Sequence, residues 1–534
     1  MKKLLLLGDE ALALGAIDAG MSGCFAYPGT PSTEIMEYIQ KDRLARERNI
    51  HRTWSSNEKT AVEEAVGMSY AGKRTMSCMK HVGLNVAADP FMNSAFVGAN
   101  GGHIVAVADD PSMHSSQNEQ DSRFYAKFAM IPCLEPSNQQ ECYDMAYHAF
   151  ELSEKFALPV MVRLTTRLSH SRAGIVKKKI LAENELKMPK DPNQFMLLPS
   201  FSRKKYKNLI KLQPKMNEAS ENSPFNWLEE GTDKSVGIIA CGLAYNYVKE
   251  VVQDEGKYPI LKISQYPIPA KMVEKIMNEC EKVIVVEEGQ PLVEEMLRGF
   301  LPRTEQICGR LDGTFSYDGE MNSNKVAKAL NVAYSVENVI PEVVEGRPPA
   351  LCVGCSHADT FKALNEALKE YGKGHVFSDI GCYTLGFLPP YNAINTCLDM
   401  GASITMAKGA SNAGFFPAVS VIGDSTFAHS GMTGLLDCVY DKTNTVVIIL
   451  DNSTTGMTGG QDYTALHRIE AICKGIGVEE DHIRVLNPLS RFHDENVRIM
   501  KEEIAYDGVS VIIPRRECIQ TLGRRMRKLK AAKK

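Results

Sequence analysis

At 534 residues the chain is longer than one hydrophobic core usually supports, so we expect about three domains. The composition is globular, with 44% hydrophobic and 24% charged residues, and the net charge of −4 argues against a general nucleic-acid-binding protein. No apolar run approaches the roughly 20 residues that cross a bilayer. Asp9 and Glu10 interrupt the apolar start before it could serve as a signal peptide, and fourteen cysteines without such a signal predict free thiols in a reducing cytoplasm.

Along the chain, short apolar runs alternate with helical patterns in three stretches. Residues 1–175 contain KLLLLG, CFAYPG, GHIVAVA and LPVMVRL, a βα rhythm that predicts a parallel sheet in a first α/β domain. Residues 176–232 are rich in charge and Pro, which predicts a linker or an excursion over the surface. The rhythm returns over 233–335 as a small second domain and over 345–520 as a third. Residues 521–534 form a basic tail, for which we expect a frayed, solvated end.

Two apolar runs of the third domain end in polar residues. AVSVI runs into Gly423-Asp424 and TVVIIL runs into Asp451-Asn452, with one helix-length segment between them. In a doubly wound sheet a βαβ unit brings two such strand ends side by side, so Asp424 and Asn452 should meet. A carboxylate and an amide oxygen facing one point are typical Mg²⁺ ligands, and that ion commonly holds a phosphorylated ligand. Two ordinary polar strand ends are the alternative at this stage.

Two further sequence patterns indicate functional residues, but each is less specific than the pair of strand ends. Thr30-Pro31 stands where CFAYPG turns into a helical pattern, which predicts Thr30 as the N-cap and Pro31 as the first helical residue. Cys352 and Cys355 form a C-x-x-C, and Cys382 follows after a helix-sized gap. Zinc binding, a redox pair and chance all fit this cysteine pattern.

Several longer stretches of the sequence resemble the motifs of one enzyme family. The stretch from Asp424 to Asn452, continued as DNSTTGMTGGQ, resembles the metal and diphosphate motif of thiamine-diphosphate enzymes, with Gly-Asp-Ser in place of the usual Gly-Asp-Gly. Its Thr-Gly-Gly-Gln ending resembles the variant of this motif found in the 2-oxoacid:ferredoxin oxidoreductases. The strings AYPGTPSTEI, SNEKTAVEEAVG, MKHVGLNVAADP and ADDPSMHSSQNEQDSRFYAKFA resemble the large alpha subunit of indolepyruvate ferredoxin oxidoreductase. The resemblance spans nearly the whole chain.

This resemblance implies a fold and a cofactor site. The fold would be α/β, with three doubly wound domains of thiamine-diphosphate enzyme type, namely pyrimidine-binding, transketolase-C-like and diphosphate-binding. Asp424, the side chain of Asn452 and the main-chain carbonyl of Thr454 would bind Mg²⁺, which holds the diphosphate of the cofactor. The other cofactor-binding positions that it implies in this loop are Gly423, Ser425 and Met457.

The resemblance also implies catalytic residues. Glu58 holds the position of the glutamate that hydrogen-bonds the aminopyrimidine ring of thiamine diphosphate and promotes its imino tautomer, with Glu63 and Glu64 as rivals on the same helix. Thr30 matches a threonine that touches the carboxylate of the substrate, a role compatible with capping a helix. Met457 lies beside the metal loop, where a flexible apolar side chain suits an aryl or branched substituent, or merely packs.

In the related enzymes four cysteines hold a [4Fe–4S] cluster near the thiamine. The matching residues here are Cys352, Cys355, Cys382 and Cys518, with Cys473 as an alternative fourth ligand and plain core thiols as the alternative for the whole set. Related alpha subunits usually continue into a ferredoxin-like segment with two C-x-x-C-x-x-C-x-x-x-C-P runs, and this sequence contains none. Electrons are therefore expected to pass to a partner chain or a soluble carrier.

The leading hypothesis is the thiamine-diphosphate- and Mg²⁺-binding subunit of a cytoplasmic arylpyruvate ferredoxin oxidoreductase. It would convert an aryl 2-oxo acid and CoA to acyl-CoA and CO₂, reduce ferredoxin, and assemble with a smaller beta subunit. One alternative is a non-oxidative 2-oxoacid decarboxylase that needs neither CoA nor ferredoxin. The other is a catalytically silent scaffold subunit.

Overall fold

The structure is a computed structural model that describes residues 3–191, 193–299, 306–334, 341–346 and 349–532. The chain forms two compact units, Met1–Val339 and Ile340–Lys534. Within the described ranges, none of the helices combines the length and the apolar character that a membrane span requires.

The first unit is built from alternating strands and helices. Its described strands are β1 Leu4–Leu7, β2 Gly23–Ala26, β3 His51–Trp54, β4 Thr75–Lys80, β5 His103–Asp109, β6 Cys133–Leu134, β7 Val160–Thr165, β8 Arg172–Ile175, β9 Trp227–Glu229, β10 Val236–Cys241, β11 Ile260–Ile263, β12 Gln265–Tyr266, β13 Lys282–Val286 and β14 Ile307–Cys308. Its described helices are α1 Gly8–Asp18, α2 Thr33–Lys41, α3 Arg43–Glu47, α4 Glu58–Tyr70, α5 His81–Val86, α6 Ala88–Val97, α7 Arg123–Ala129, α8 Gln139–Phe156, α9 Thr166–His170, α10 Pro199–Glu221, α11 Ala244–Val251, α12 Ala270–Glu279, α13 Leu292–Arg298 and α14 Ser323–Leu330.

Two larger sheets organise this unit. Among the described residues, one sheet has the strand order β12-β6-β7-β5-β4-β2-β3 and is parallel except for β12, and the other has the order β14-β13-β10-β11-β9 and is parallel except for β9. Strands β5 and β7 are buried at every residue, as expected for parallel strands covered by helices on both faces. Helix α8 packs so closely on α1 that a Cβ on Gly15 would lie 2.3 Å from the carbonyl oxygen of Tyr143. The parallel α/β fold read from the sequence is confirmed.

A network of buried charges lies between the elements of these two sheets. The guanidinium groups of Arg123 and Arg163 are both fully buried. Arg163 Nε lies 2.6 Å from Asp109, and Arg123 lies 2.9 Å from Glu287, which follows β13 of the second sheet. The carboxylates that surround the two arginines are those of Asp109, Asp121, Glu135 and Glu287. Removing one cation would leave buried carboxylates without a counter-charge, which is far costlier than losing an exposed pair.

We expect Arg163→Met to lower the free energy of unfolding of the first unit by about 3–5 kcal/mol, because the carboxylates around it stay buried. The measurement is urea unfolding followed by tryptophan fluorescence, since both tryptophans, Trp54 and Trp227, belong to this unit. Arg43→Met is the matched control, because the pair that Arg43 makes with Glu47 is exposed and its loss should leave the midpoint unchanged. Equal midpoints for the two variants would contradict the prediction.

The second unit also alternates strands with helices, and its described strands form one sheet. Its described strands are β15 Val376–Ser378, β16 Val419–Gly423, β17 Thr445–Leu450, β18 Ile483–Leu486 and β19 Val509–Pro514. Its described helices are α15 Ser356–Ala367, α16 Ala402–Asn412, α17 Asp424–Thr426, α18 Met432–Asp441, α19 Ile469–Ile476, α20 His493–Ala505 and α21 Ile519–Ala532, with a π-helical turn over Phe427–Gly431 and 3₁₀ turns over Cys382–Phe387, Glu480–His482 and Ser490–Phe492.

The sheet of the second unit is parallel throughout its described strands, in the order β15-β16-β17-β19-β18. Alternate residues of β17 enter different apolar cores, with Val446 and Ile448 on one face and Val447 and Ile449 on the other. This explains why TVVIIL reads as a continuous apolar run rather than an alternating one.

Two segments differ from their sequence-based expectation. The charged stretch 176–232 contains helix α10, which is 23 residues long and buries Leu209 and Met216 although Pro214 lies within it. Few of its residues are buried, so no apolar period was visible in the sequence. The basic tail is helical through α21 instead of frayed, with five basic and no acidic residues between Ile519 and Ala532. Residues 533 and 534 lie outside the described ranges.

Candidate active site

Asp424 and Asn452 lie together at the carboxyl ends of two neighbouring parallel strands. Gly423, the last residue of β16, pairs with Leu450, the last residue of β17. The backbone N–H of Asn452 donates to Asp424 Oδ2 at 3.1 Å. Both side chains are buried. Sequence reasoning therefore placed this pair where the structure has it.

The Asn452 side chain has a defined orientation. Its Oδ1 accepts a hydrogen bond from Thr454 N at 3.1 Å, and its Nδ2 lies 3.3 Å from Nε2 of His357. His357 is buried, and burial lowers its pKa to about 4, so the ring is neutral at pH 7 and can accept from the amide. The amide nitrogen thus points to His357, which leaves the oxygen on the side of Asp424 and Thr454.

The turn at Gly423 leaves no room for a side chain. A Cβ there would lie 2.7 Å from Cε1 of Tyr383, whose hydroxyl donates to the buried carboxylate of Asp379. Asp379 also accepts from Ser403 Oγ at 2.6 Å. Burial is the main reason that the pKa of Asp379 is raised, to about 6. These contacts fix the backbone that leads into Asp424.

The remaining cofactor positions line the same loop. Ser425 and Thr454 are buried, and Ser425 Oγ lies 2.9 Å from Thr455 Oγ1. Met457 is 56% exposed, so its side chain is not part of a packed core. The helix that starts at Asp424 widens into the π-helical turn one residue after Thr426, a distortion that is frequent at functional sites.

The oxygen atoms of this group fit a divalent cation. Burial, reinforced by the carboxylate of Asp451, raises the pKa of Asp424 to about 8, so the ionised carboxylate is costly without a cation. Asp424, Asn452 and the carbonyl of Thr454 supply hard oxygen ligands, which Mg²⁺ prefers, and bound Mg²⁺ usually completes its octahedron with waters and phosphate oxygens.

Four of the cysteines approach one another beside this loop. Burial raises the pKa of the Cys382 thiol to about 12, and Cys355, Cys518 and Cys352 each act on it electrostatically in the same direction. No three of these four sulfur atoms all lie within 4.8 Å of one another. A single zinc ion with Zn–S bonds of about 2.3 Å needs closer sulfurs, whereas a cluster binds each thiolate through a different iron.

Cys518 and Cys473, the two candidates for the fourth ligand, lie in different surroundings. Cys473 is buried in the apolar core beneath β17. The backbone N–H of Cys518 donates to the carbonyl of Asn452 at 3.0 Å. A Cβ on Gly456 would lie 3.3 Å from Cys382 Sγ. Cys382 and Cys518 therefore lie against the loop that carries Asn452.

Glu58 is the buried member of the three candidate glutamates. It is the first residue of α4, which is capped by the Asn57 side chain accepting from Thr60 N at 2.9 Å. Gly83 lets it approach, since a Cβ there would lie 2.6 Å from Glu58 Oε1. Glu63 and Glu64 are exposed on the same helix.

Thr30 does not cap a helix. Helix α2 begins at Thr33, so Ser32 is its N-cap residue, and Pro31 precedes the helix. The cause is a turn closed by Ser32, whose backbone N–H and hydroxyl both donate to the carbonyl of Gly29, at 2.8 and 2.7 Å. Thr30 is half-buried in this turn and its carbonyl accepts from Ser115 Oγ at 3.4 Å.

Lys80 lies near Glu58 and the turn that carries Thr30, and it was not predicted from the sequence. It ends β4, its stem packs on Gly29, and its ammonium donates to the carbonyl of Ser115 at 3.4 Å. Burial lowers the pKa of Lys80, while the carboxylates of Asp110 and Glu58 oppose that shift. A cation thus lies between Glu58 and the Thr30 turn.

Comparison with known proteins decides the family. Residues 14–219 match the family "Pyruvate flavodoxin/ferredoxin oxidoreductase, thiamine diP-bdg", and residues 379–513 match "Thiamine pyrophosphate enzyme, C-terminal TPP binding domain". The indolepyruvate oxidoreductase subunit IorA of Archaeoglobus fulgidus is 41% identical, over 97% of this chain and 86% of its own length. The chain belongs to the IorA family. The resemblance inferred from the sequence strings is thereby confirmed, and with it a thiamine-diphosphate-dependent 2-oxoacid oxidoreductase subunit.

Other relatives agree with this assignment to the IorA family. IorA of Methanothermobacter thermautotrophicus is 39% identical, over 98% of this chain and 88% of its own length. A solved 2-oxoglutarate:ferredoxin oxidoreductase from Magnetococcus marinus, with 2-oxoglutarate, coenzyme A and succinyl-CoA bound, superposes with a TM-score of 0.51 at 18% identity. That match covers 62% of this chain and 65% of the other, and it supports the fold alone.

Two residues of this site, Lys80 and His357, were not predicted from the sequence, and only one of them could have been. Lys80 follows the buried strand residues Thr75–Met79, so the strand-end rule that found Asp424 applies to it as well. His357 follows the C-x-x-C by two residues, and nothing in its local sequence points to Asn452, 95 residues further on. That contact arises only from the fold.

Proposed function

We propose that this chain is the thiamine-diphosphate- and Mg²⁺-binding subunit of an arylpyruvate ferredoxin oxidoreductase. The reaction would convert a 2-oxo acid, CoA and two oxidised ferredoxins to acyl-CoA, CO₂, two reduced ferredoxins and a proton. The observation that carries the proposal is that Cys382 and Cys518 lie against the loop that carries Asn452, with Cys352 and Cys355 close enough to Cys382 to act on its thiol. An iron–sulfur cluster on these four thiols would lie beside the cofactor site.

Each group of residues has a role in this proposal. Thiamine diphosphate, when bound, supplies the nucleophilic carbon and the electron sink for loss of CO₂. Asp424, Asn452 and the Thr454 carbonyl hold the Mg²⁺ and so anchor the diphosphate. His357 keeps the Asn452 oxygen turned toward the ion, an outer contact of the kind that sustains metal affinity. Glu58 holds a proton at the pyrimidine ring.

The carboxylate of the substrate would lie near the Thr30 turn. Lys80 supplies a positive charge there, and its partial burial strengthens its attraction for an anion. The exposed Met457 leaves an apolar surface beside the metal loop that suits an aryl group. The choice of an aryl substrate, with CoA and ferredoxin as co-substrates, draws on the printed names of the IorA relatives and of the M. marinus structure.

The electrons would leave through a [4Fe–4S] cluster on Cys352, Cys355, Cys382 and Cys518. Cys352 is exposed and the other three are partly exposed, so the cluster would lie near the protein surface and could pass electrons onward. The acceptor would be ferredoxin, and a smaller beta subunit would complete the enzyme. The non-oxidative decarboxylase and the silent scaffold leave this cysteine arrangement without a role.

We expect anaerobically purified protein to contain iron and acid-labile sulfide, with a visible absorption that dithionite bleaches. Cys518→Ala should lose most of both, because it removes one of four thiolates. Cys397→Ala is the matched control, since Cys397 is an exposed thiol of the same unit outside the four. Iron-free intact protein, or iron that survives Cys518→Ala at the level of the control, would shift the function to non-oxidative decarboxylation or to a subunit whose redox centres lie on a partner.

A further inference from the structure

A second group of metal-ligand side chains lies in the first unit and has no part in the proposed reaction. It consists of Asp9 at the start of α1, Glu34 in the first turn of α2 and His170 at the end of α9. One carboxylate oxygen from each acid and one ring nitrogen of His170 all lie within 4.8 Å of one another. Three elements separated in sequence therefore direct ligand atoms to one point.

Asp9 is the unusual member of this group. Its side chain is fully buried, and neither carboxylate oxygen has a hydrogen-bond partner among the described residues. Burial raises the pKa of Asp9 well above its usual range, the hydroxyl of Ser169 opposes that shift, and the carboxylates of Glu34 and Glu10 add to it. An ionised carboxylate that is buried beside other carboxylates is costly, and a bound cation would remove that cost.

Glu34 and His170 complete a site that solvent can reach. Glu34 Oε2 lies 3.5 Å from His170 Nε2, and the two side chains are 36% and 35% exposed. The Oε2 atom is itself buried, and the Glu34 carboxylate raises the pKa of His170. The imidazole of His170 also hydrogen-bonds the backbone of Pro31, a contact of the type that orients metal-binding histidines.

We propose that Asp9, Glu34 and His170 bind a divalent transition-metal ion. Two carboxylate oxygens and one imidazole nitrogen form a mixed ligand set that suits Mn²⁺, Fe²⁺ or Zn²⁺ better than a purely oxygen-binding ion. Water would fill the remaining positions through the exposed side of the site. The ion joins the ends of α1, α2 and α9, and it holds the turn before α2 that carries Thr30.

The test is a Mn²⁺ titration of the metal-stripped full chain without thiamine diphosphate, followed by electron paramagnetic resonance. Mn²⁺ is the probe because it prefers oxygen and imidazole ligands to thiolates, so the four cysteines compete poorly. The background is Asp424→Ala, which removes the other carboxylate site. We expect a single site, weakened more than about tenfold by Asp9→Asn and by His170→Ala. Glu37→Gln, which changes a half-buried acid of α2 paired with Lys41, should leave the affinity unchanged.

A nitrogen coupling in the pulsed spectrum of bound Mn²⁺ should disappear in His170→Ala. The proposal is overturned if the chain binds no Mn²⁺ under these conditions, or if binding survives both ligand substitutions, because Asp9 would then be a buried neutral carboxyl. If Asp9→Asn does not fold, the partly exposed His170 decides the question by itself. The experiment contains no thiamine diphosphate, so its outcome is independent of the proposed function.

Discussion

Asp424→Ala should abolish Mg²⁺-dependent binding of thiamine diphosphate while the chain stays folded. The carboxylate is the only charged ligand in the proposed set of Asp424, Asn452 and the Thr454 carbonyl, and the loss of such a ligand should exceed the 10–100-fold effect of removing an outer contact. Burial disfavours the ionised form of Asp424 when no cation is present, so its removal should not unfold the second unit. Calorimetric titration of thiamine diphosphate, with and without Mg²⁺, measures the effect.

Asp437→Ala is the matched control for that titration. Asp437 belongs to α18, in the same helical segment, but its side chain is exposed. Its loss should leave the affinity unchanged, and circular dichroism should show both variants folded. Equal affinity for the two variants would refute the metal site, whatever the family of the chain.

The sequence predicted the residues at the carboxyl ends of the strands better than the contacts between distant parts of the chain. Asp424 and Asn452 were predictable because parallel neighbouring strands end at the same edge, and TVVIIL marks a buried strand by composition alone. The choice of Cys518 over Cys473 depends on resemblance and stays a prediction, although the fold places Cys473 in the core beneath β17. No local pattern distinguishes the two.

Local patterns failed where tertiary contacts override them. Thr30-Pro31 has the composition of a helix start, but the hydrogen bonds of Ser32 to Gly29 close a turn first and move the helix to Thr33. Helix α10 was invisible because most of its residues are solvated and Pro214 interrupts its pattern. The cluster around Asp9 gave no signal either, because its three members come from distant parts of the chain and meet only in the folded unit.

Glu58→Gln should leave thiamine diphosphate bound and slow the reaction by about 10²–10⁴-fold. Glutamine keeps the size of the side chain beside Gly83, where there is no room for rearrangement, but it cannot hold or release the proton at the pyrimidine ring. The direct measurement is deuterium exchange at the thiazolium carbon of the bound cofactor, which tests proton transfer without CoA, ferredoxin or a partner subunit. Glu63→Gln and Glu64→Gln serve as controls, because both residues lie exposed on the same helix and should exchange at the wild-type rate. Fast exchange in Glu58→Gln, or slow exchange in either control, would move the role to another residue, and the burial of Glu58 would then need a structural explanation.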